Sequence, residues 1–460
     1  MDNCAIILAA GDGKRMKSKK PKVLCEVLFK PMLAWVISSC QEAGVEDICV
    51  VAGYEYNQVL DFLGDKHSHA LQLERKGTGH AVMMANDFLN KNRGKNVLIL
   101  CGDAPFMDKD TILNALNFHS DNKNSATIIT ASLENPSGYG RILRDENGIV
   151  AIVEQKDANE QQLLINEVNS GGYWFNVDDL LSVLGEITSN NSQGEHYLTD
   201  SISLLLAKKK RVDAYVSKNS DVILGANDRK GVFTLSEIAR KRIIDNHFEN
   251  GVEFVSIDGV VISPDAKIGC GSSILGGTIL KGNVSIGENC TIGPNTLIEN
   301  SIIGDNSKIN ASQVYKSKIS NDVSIGPFSH IRPNSDIKSK AHIGDFVEIK
   351  NSEIGEGTSV SHLTYIGDSD VGKNVNVGCG VVTVNFDGVK KHRCVIEEGA
   401  FIGCNTNLIS PVKVGKNAYT AAGSTITEDV EDGALAIARS RQQNKNNFSE
   451  KKLEGRKLKA

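Results

Sequence analysis

From residue 262 onward an aliphatic side chain returns every six positions. Ile262, Ile268, Ile274, Leu280, Ile286, Ile292 and Ile298 share one phase. Ile319, Ile325, Ile331, Ile337, Ile343 and Ile349 share a second. Ile402, Leu408 and Val414 open a third that continues through Thr420 and Ile426. Neither an α-helix nor an alternating β-strand has this period. A parallel β-helix does, because each triangular coil uses three six-residue sides and points one aliphatic side chain per side inward. Glycine directly follows many of these residues, as at Ile268-Gly269, Ile286-Gly287, Ile325-Gly326, Ile343-Gly344, Ile402-Gly403 and Val414-Gly415. There it relieves crowding or permits a positive φ at a corner. The phased positions are core and carry no chemistry. Phase slips mark interrupted coils, one between Ile298 and Ile303 and a larger one over residues 386–401. Loops leaving a solenoid are where its function is expected.

The first half has a different pattern. Residues 5–9 read as a buried strand, 32–43 as a helix between Pro31 and Gly44, 48–52 as the next strand, and 96–101 (NVLILC) as another, leading into Gly102-Asp103. Apolar strands separated by helices predict a Rossmann-like α/β domain with a mostly parallel sheet covered on both faces. Ligands of such sheets sit beyond the carboxyl ends of the strands, where Gly11 and Asp103 fall. Leu235, Ile238, Ala239 and Ile243 recur at helical spacing, and Asn250-Gly251 supplies a stop. The expected organisation is an α/β domain over 1–227, a helical linker over 228–250, a β-helix over 251–438 and a basic tail over 439–460. Aromatics at 5% beside 43 glycines agree with a repetitive half rather than one large aromatic core.

The net charge of -5 gives no support for nucleic-acid binding. Ten cysteines without a CxxC pair argue against zinc or thioredoxin-like chemistry. No stretch approaches the length of a membrane span, and the short apolar run 5–10 has no basic leader before it. A cytoplasmic protein with free thiols is expected.

The segment LAAGDGKRM (8–16) follows the first strand, and Pro21-Lys22 comes shortly after. It lacks the third glycine of a dinucleotide fingerprint and the GK[ST] ending of a Walker A loop. Exposed backbone N–H groups with Lys14, Arg15 and Lys22 nearby nonetheless suit a triphosphate. On its own, Asp103 reads equally as a helix cap or a metal ligand. Asn227, within Gly225-Ala226-Asn227-Asp228, reads as a turn residue, and His362 as a surface or hydrogen-bonded structural histidine.

The LAAGDGKRM…PKVL segment resembles the signature of sugar-phosphate nucleotidylyltransferases. QLERKGTGH (72–80), GDAP (102–105), GYGR (138–141), VEQKD (153–157), EVN (167–169) and QGEHYLTD (193–200) sharpen the match. In the solenoid, IRP (331–333), HLTYIGD (362–368) and VNFDG (384–388) complete it. Through nearly its whole length the chain resembles the family of bifunctional N-acetylglucosamine-1-phosphate uridylyltransferases/glucosamine-1-phosphate N-acetyltransferases.

For the first half the resemblance implies a uridylyltransferase (pyrophosphorylase). Leu8, Ala9, Ala10 and Gly11 would border the nucleotide, and the catalytic Arg15 and Lys22 would neutralise its phosphates. Gln72, Gly77 and Thr78 would read the uracil, and Gly140, Glu154 and Asn169 would hold the sugar. Asp103 and Asn227 would bind Mg2+. Mg2+ takes oxygen ligands, and the transferred phosphoryl group needs metal and cations rather than a covalent nucleophile. Cys101 stands where the family has an aromatic and Arg75 where it has a polar amide.

For the solenoid the resemblance implies acetyl transfer from acetyl-CoA to glucosamine-1-phosphate. His362 would be the base, with Asn385 orienting it. Arg332 and Lys350 would hold the sugar phosphate, and Tyr365 and Asn376 the sugar. The backbone N–H of Cys379 would face the oxyanion. Acetyl-CoA would lie along Cys379, Asn385, Phe386, Cys404, Ala422 and Arg439. Cys379 and Cys404 replace smaller residues, and neither thiol reads as a nucleophile. The implied product is UDP-N-acetylglucosamine for peptidoglycan and lipopolysaccharide precursors. The implied partners are glucosamine-1-phosphate, N-acetylglucosamine-1-phosphate, UTP and acetyl-CoA, with no nucleic acid and no membrane insertion. A left-handed solenoid and a homotrimer are also implied, because the family builds acetyltransferase sites between subunits.

Overall fold

The apolar run at the start of the chain becomes the strand Cys4–Ala9, paired in parallel with Asp47–Ala52 on one side and Asn96–Cys101 on the other. It is apolar throughout because both faces are covered. Cys4 and Ile6 enter one core cluster, while Ala5, Ile7 and Ala9 enter the other. The path through the sheet runs Val212–Val216, Ala126–Ser132, Glu167–Asn176, Asn96–Cys101, Cys4–Ala9, Asp47–Ala52, Ser68–Leu71. Along this path only Glu167–Asn176 runs antiparallel to its neighbours. A hairpin, Arg141–Asp145 with Gly148–Val153, attaches to it. The helix Met32–Glu42 begins after Pro31 and buries Met32, Leu33, Val36, Ile37 and Cys40. The four parallel strands Cys4–Ala9, Asp47–Ala52, Ser68–Leu71 and Asn96–Cys101 end at one edge. That edge collects Gly11, Gln72 and Asp103.

This computed structural model describes residues 3–146 and 148–457. They divide into two compact units, Met1–Lys241 and Arg242–Ala460, and the division falls within the helix Arg229–Glu249.

The second unit stacks short strands into three parallel sheets, of 11, 10 and 9 strands. Ile262 pairs with Leu280 and Leu280 with Ile298, so a coil there consumes three six-residue sides. At the first phase slip Ile286 pairs with Ile303 and Ile298 with Val314, so the coils shorten without losing register. The phased aliphatics form one continuous buried cluster. At Gly269 a Cβ would lie 2.6 Å from the Gly287 backbone one coil away, so crowding requires the glycine.

The second interruption is narrower than the sequence suggests. Cys394–Ile396 already pairs with Ser369–Val371, and Cys394 and Ile396 are buried. The excursion is residues 385–393. Ile396 stands six residues before Ile402, but the neighbouring Cys394 masks the return of phase. The tail ends in a helix, Phe448–Lys457. Lys459 of the basic tail lies outside the described residues. All ten cysteines are free. Among the described residues no helix is long and apolar enough to cross a membrane.

Candidate active sites

In the first unit the strand ends enclose a cleft of ≈ 640 Å³. Leu8, Ala10, Gly11, Lys22, Gln72, Gly77, Thr78 and Asp103 line it, with Cys101 and Arg75. Ala9 faces the core instead, and Arg15 does not line the cleft. Gly13 takes φ 56°, and a Cβ there would lie 2.9 Å from the Cβ of Lys22, so this glycine allows the loop to fold onto that lysine. The Lys22 ammonium forms an ion pair with Asp103 Oδ2 and donates to Asn227 Oδ1 at 3.1 Å. The Ala226 N–H donates to the Asp103 carbonyl at 3.3 Å, tying the Asn227 segment to the strand end. Asp103 is not a helix cap: the helix that follows, Lys109–Asp121, is capped by Asp108, which accepts from the Thr111 N–H at 2.7 Å.

A single cation thus already satisfies both predicted metal ligands. One carboxylate and one amide oxygen are hard donors of the kind Mg2+ prefers, so the donor set fits that ion. No cluster of three or more His, Cys, Asp or Glu residues suited to a metal occurs among the described residues. Waters and phosphate oxygens would therefore complete the shell.

Gly140, Glu154 and Asn169 come together. The Asn169 N–H donates to the Gly140 carbonyl at 2.9 Å, and Asn169 Nδ2 donates to the Tyr173 hydroxyl at 2.6 Å. A Cβ on Gly140 would sit 3.5 Å from both Glu154 carboxylate oxygens. Burial, then Asp157 and Asp200, pushes the Glu154 carboxyl above the usual range. The Cys101 thiol donates to the Gly171 carbonyl at 3.7 Å, and burial pushes it up to about 12. It is a small neutral wall of the cleft.

In the second unit Cys379, Cys404 and Arg439, three of the residues expected to hold acetyl-CoA, lie along one column with His362. Asp345 pairs with His362. The registers Val360 with Val377, and Val377 with Ile402, place Cys379 and then Cys404 on the succeeding coils. Backbone bonds continue the column, from the Asn405 N–H to the Cys379 carbonyl (2.7 Å) and from the Gly423 N–H to the Cys404 carbonyl (2.8 Å). Arg439 Cδ lies 3.8 Å from a Cβ built on Gly423, at the far end.

His362 Nδ1 lies 2.6 Å from Asp345 Oδ1. An ionised carboxylate only accepts, so Nδ1 carries a proton, which leaves Nε2 as the nitrogen that holds the lone pair whenever the ring is neutral. Asn385 makes no hydrogen bond to His362 among the described residues and is bonded on a different sheet face. Its Nδ2 donates to Asp368 Oδ2 at 2.5 Å and to the Tyr365 hydroxyl at 3.4 Å. Asn351 holds the other oxygen of Asp368. Lys350 pairs with Gly367. Its ammonium is held below the usual lysine range by its side-chain contact with Lys391, then by burial and the Lys391 charge, with Arg332 adding and Asp368 opposing. Arg332 itself donates to Glu348 Oε1 at 2.7 Å. Lys391 and Arg332 both repel the Lys350 ammonium, a concentration of positive charge that suits an anion. Asn376 lies one coil from Ser359 on the His362 sheet, and Phe386 is exposed where it bridges Lys391.

The Nucleotidyl transferase family model matches residues 4–223, and that of the Bacterial transferase hexapeptide (six repeats) matches residues 259–300 and 393–428. A Bifunctional protein GlmU from Acetivibrio thermocellus is 49% identical over 449 residues, covering 97% of each chain. One from Caldanaerobacter subterraneus subsp. tengcongensis is 48% identical over 455 residues, covering 99% of each. The chain belongs to the bifunctional GlmU family. It is a bifunctional transferase with a nucleotidyltransferase half and a left-handed β-helix acyltransferase half, and families of the first kind generally use a divalent metal.

Within this GlmU-type solenoid, sequence reasoning missed Asp345, Asp368 and Lys391. The first sits one coil before its histidine and follows an ordinary Ile-Gly repeat, so only the coil register exposes it. Lys391 lies inside the excursion, where the repeat offers no guide.

Proposed function

We propose that this chain makes UDP-N-acetylglucosamine in two steps at two separate sites. The product would serve peptidoglycan and lipopolysaccharide precursors. The solenoid transfers acetyl from acetyl-CoA to the amine of glucosamine-1-phosphate. The α/β unit then transfers uridylyl from UTP to N-acetylglucosamine-1-phosphate, releasing pyrophosphate. The observation that carries this reading is the pairing of two different chemistries in one chain: a lysine between two oxygen donors in the cleft of the first unit, and in the second an imidazole bonded to a carboxylate with a separate cluster of cations around Lys350.

In the solenoid, Arg332, Lys350 and Lys391 hold the sugar phosphate, and Tyr365 and Asn376 the sugar. His362 Nε2 takes the proton from the attacking amine, while Asp345 stabilises the resulting imidazolium. The amine nitrogen bonds to the thioester carbon, the backbone N–H of Cys379 faces the oxyanion, and CoA leaves as the thiol. Cys404, Ala422 and Arg439 align acetyl-CoA along the column, and Asn385 and Phe386 meet it from the excursion on the other face.

In the cleft, Leu8, Ala10 and Gly11 border the nucleotide, with Ala9 packed behind them in the core. Gln72, Gly77 and Thr78 read the uracil, and Gly140, Glu154 and Asn169 orient the acceptor sugar. Asp103 and Asn227 would hold Mg2+, which when bound supplies Lewis-acid stabilisation of phosphoryl charge. Lys22 in the cleft and Arg15 on the preceding loop would stabilise the charge passed to pyrophosphate.

The active assembly is a homotrimer in the cytoplasm. Phe328, Phe346 and Leu363 occupy one corner of successive coils in left-handed backbone, and are 61%, 56% and 59% exposed. The two rings stack 5.4 Å apart. Bulky apolar residues in that conformation at an exposed edge, next to His362, fit a surface covered by another copy. Incubation with glucosamine-1-phosphate, acetyl-CoA and UTP should yield UDP-N-acetylglucosamine, CoA and pyrophosphate. Failure to form the sugar nucleotide when all three are present would refute the reading.

A further inference from the structure

Gln72 is 3% exposed, yet it lines the cleft. Its backbone N–H is anchored to the Ala52 carbonyl at 2.8 Å. Its side-chain Nε2 lies 2.9 Å from the Gly77 carbonyl oxygen and 3.0 Å from His80 Nδ1. A carbonyl only accepts, so the NH2 end of the amide must face Gly77. That same NH2 then meets His80, so Nδ1 must present its lone pair and the ring proton sits on Nε2. Burial, then Lys76 and His196, keeps His80 below the usual histidine range, which agrees with a neutral ring. Both described hydrogen bonds of the Gln72 side chain are donated by Nε2. The group it can still offer to a ligand is therefore Oε1, an acceptor.

A pyrimidine can meet that acceptor in two ways. Uracil carries a hydrogen on ring N3 and donates to it. Cytosine has a lone pair at N3, and two acceptors would face each other. His80 does not line the cleft, so it acts only through Gln72. We propose that His80 is a positioning residue that sets the pyrimidine specificity of the cleft, by locking the Gln72 amide so that Oε1 selects a base with an N3–H. This rests on the uridylyl transfer proposed for the same cleft.

The test compares UTP with CTP in the full-length enzyme with N-acetylglucosamine-1-phosphate as acceptor, reading pyrophosphate release. His80→Leu removes the acceptor, and His80→Phe does so while keeping ring volume. Each should raise KM for UTP about three- to tenfold, the worth of one hydrogen bond. The UTP-over-CTP ratio of kcat/KM should fall by a similar factor, with kcat for UTP nearly unchanged. His80→Asn, which restores an acceptor oxygen, should recover most of the ratio. Equal losses for UTP and CTP, or an unchanged ratio in both variants, overturn the inference. Absence of uridylyl transfer in the wild-type enzyme would instead sink the underlying reading.

Discussion

His362 Nδ1 lies 2.6 Å from Asp345 Oδ1, on the preceding coil of the same sheet. The contact fixes which imidazole nitrogen can accept a proton. Asp345→Ala should lower kcat for acetyl transfer by about 10- to 100-fold, within the range for losing general-base efficiency. KM for glucosamine-1-phosphate should change little. Asp345→Asn, which keeps an acceptor oxygen, should retain more activity than the alanine variant. Steady-state kinetics with a CoA-release readout check this, and uridylyl transfer on the same samples controls for folding.

Lys391 is a second residue that the coil repeat does not announce. Its charge already depresses its neighbour Lys350, so an anion placed among Lys350, Lys391 and Arg332 relieves a repulsion built into the site. Lys391→Ala should raise KM for glucosamine-1-phosphate about 10-fold or more, in line with a charged hydrogen bond worth ~1.5–3 kcal/mol. Inorganic phosphate should compete with the sugar phosphate in the wild-type enzyme and much less in the variant.

The exposed corner of Phe328, Phe346 and Leu363 predicts a separation of activities. Phe328→Asp combined with Phe346→Asp places two charges on the proposed subunit contact. Analytical ultracentrifugation should show loss of the trimer, and acetyl transfer should fall with it. Uridylyl transfer, in a cleft built entirely within the first unit, should persist.

His119 predicts a pH effect on the first unit. It is buried, its Nδ1 lies 2.9 Å from Thr127 Oγ1, and burial lowers its pKa to about 4. The folded state therefore holds it neutral while the unfolded chain protonates it near 6.5. Its contribution is fully present above that unfolded value and is lost as pH falls from 6.5 toward about 4. The loss is on the order of 3 kcal/mol across that window. Thermal melts should show it, and His119→Gln should flatten the dependence while lowering stability at neutral pH.

Much of this was legible in the sequence because it follows from period and composition. The six-residue aliphatic phase specified the coils, and the apolar runs specified the buried parallel sheet. Gly11 and Asp103 were legible because each lies just beyond a strand end. What could not be read was the meeting of residues on neighbouring coils. Asp345 and His362 are 17 residues apart in a solenoid whose coils vary in length, so their contact needs the actual register. Asn385 looked like a partner of the histidine because both carry family motifs, but the coil geometry turns its amide to Asp368. Lys391 comes back to Lys350 because Phe386 bridges Lys391, and nothing in the hexapeptide pattern encodes that loop closure.

The most direct measurement assays both half-reactions separately on Asp103→Ala and His362→Ala. Asp103→Ala should lose uridylyl transfer by about 100-fold or more, as removal of a key electrostatic group does, with acetyl transfer at the wild-type rate. His362→Ala should show the reverse. If either substitution lowers both activities equally, or His362→Ala acetylates like the wild type, two independent sites with these two residues at their centres do not exist.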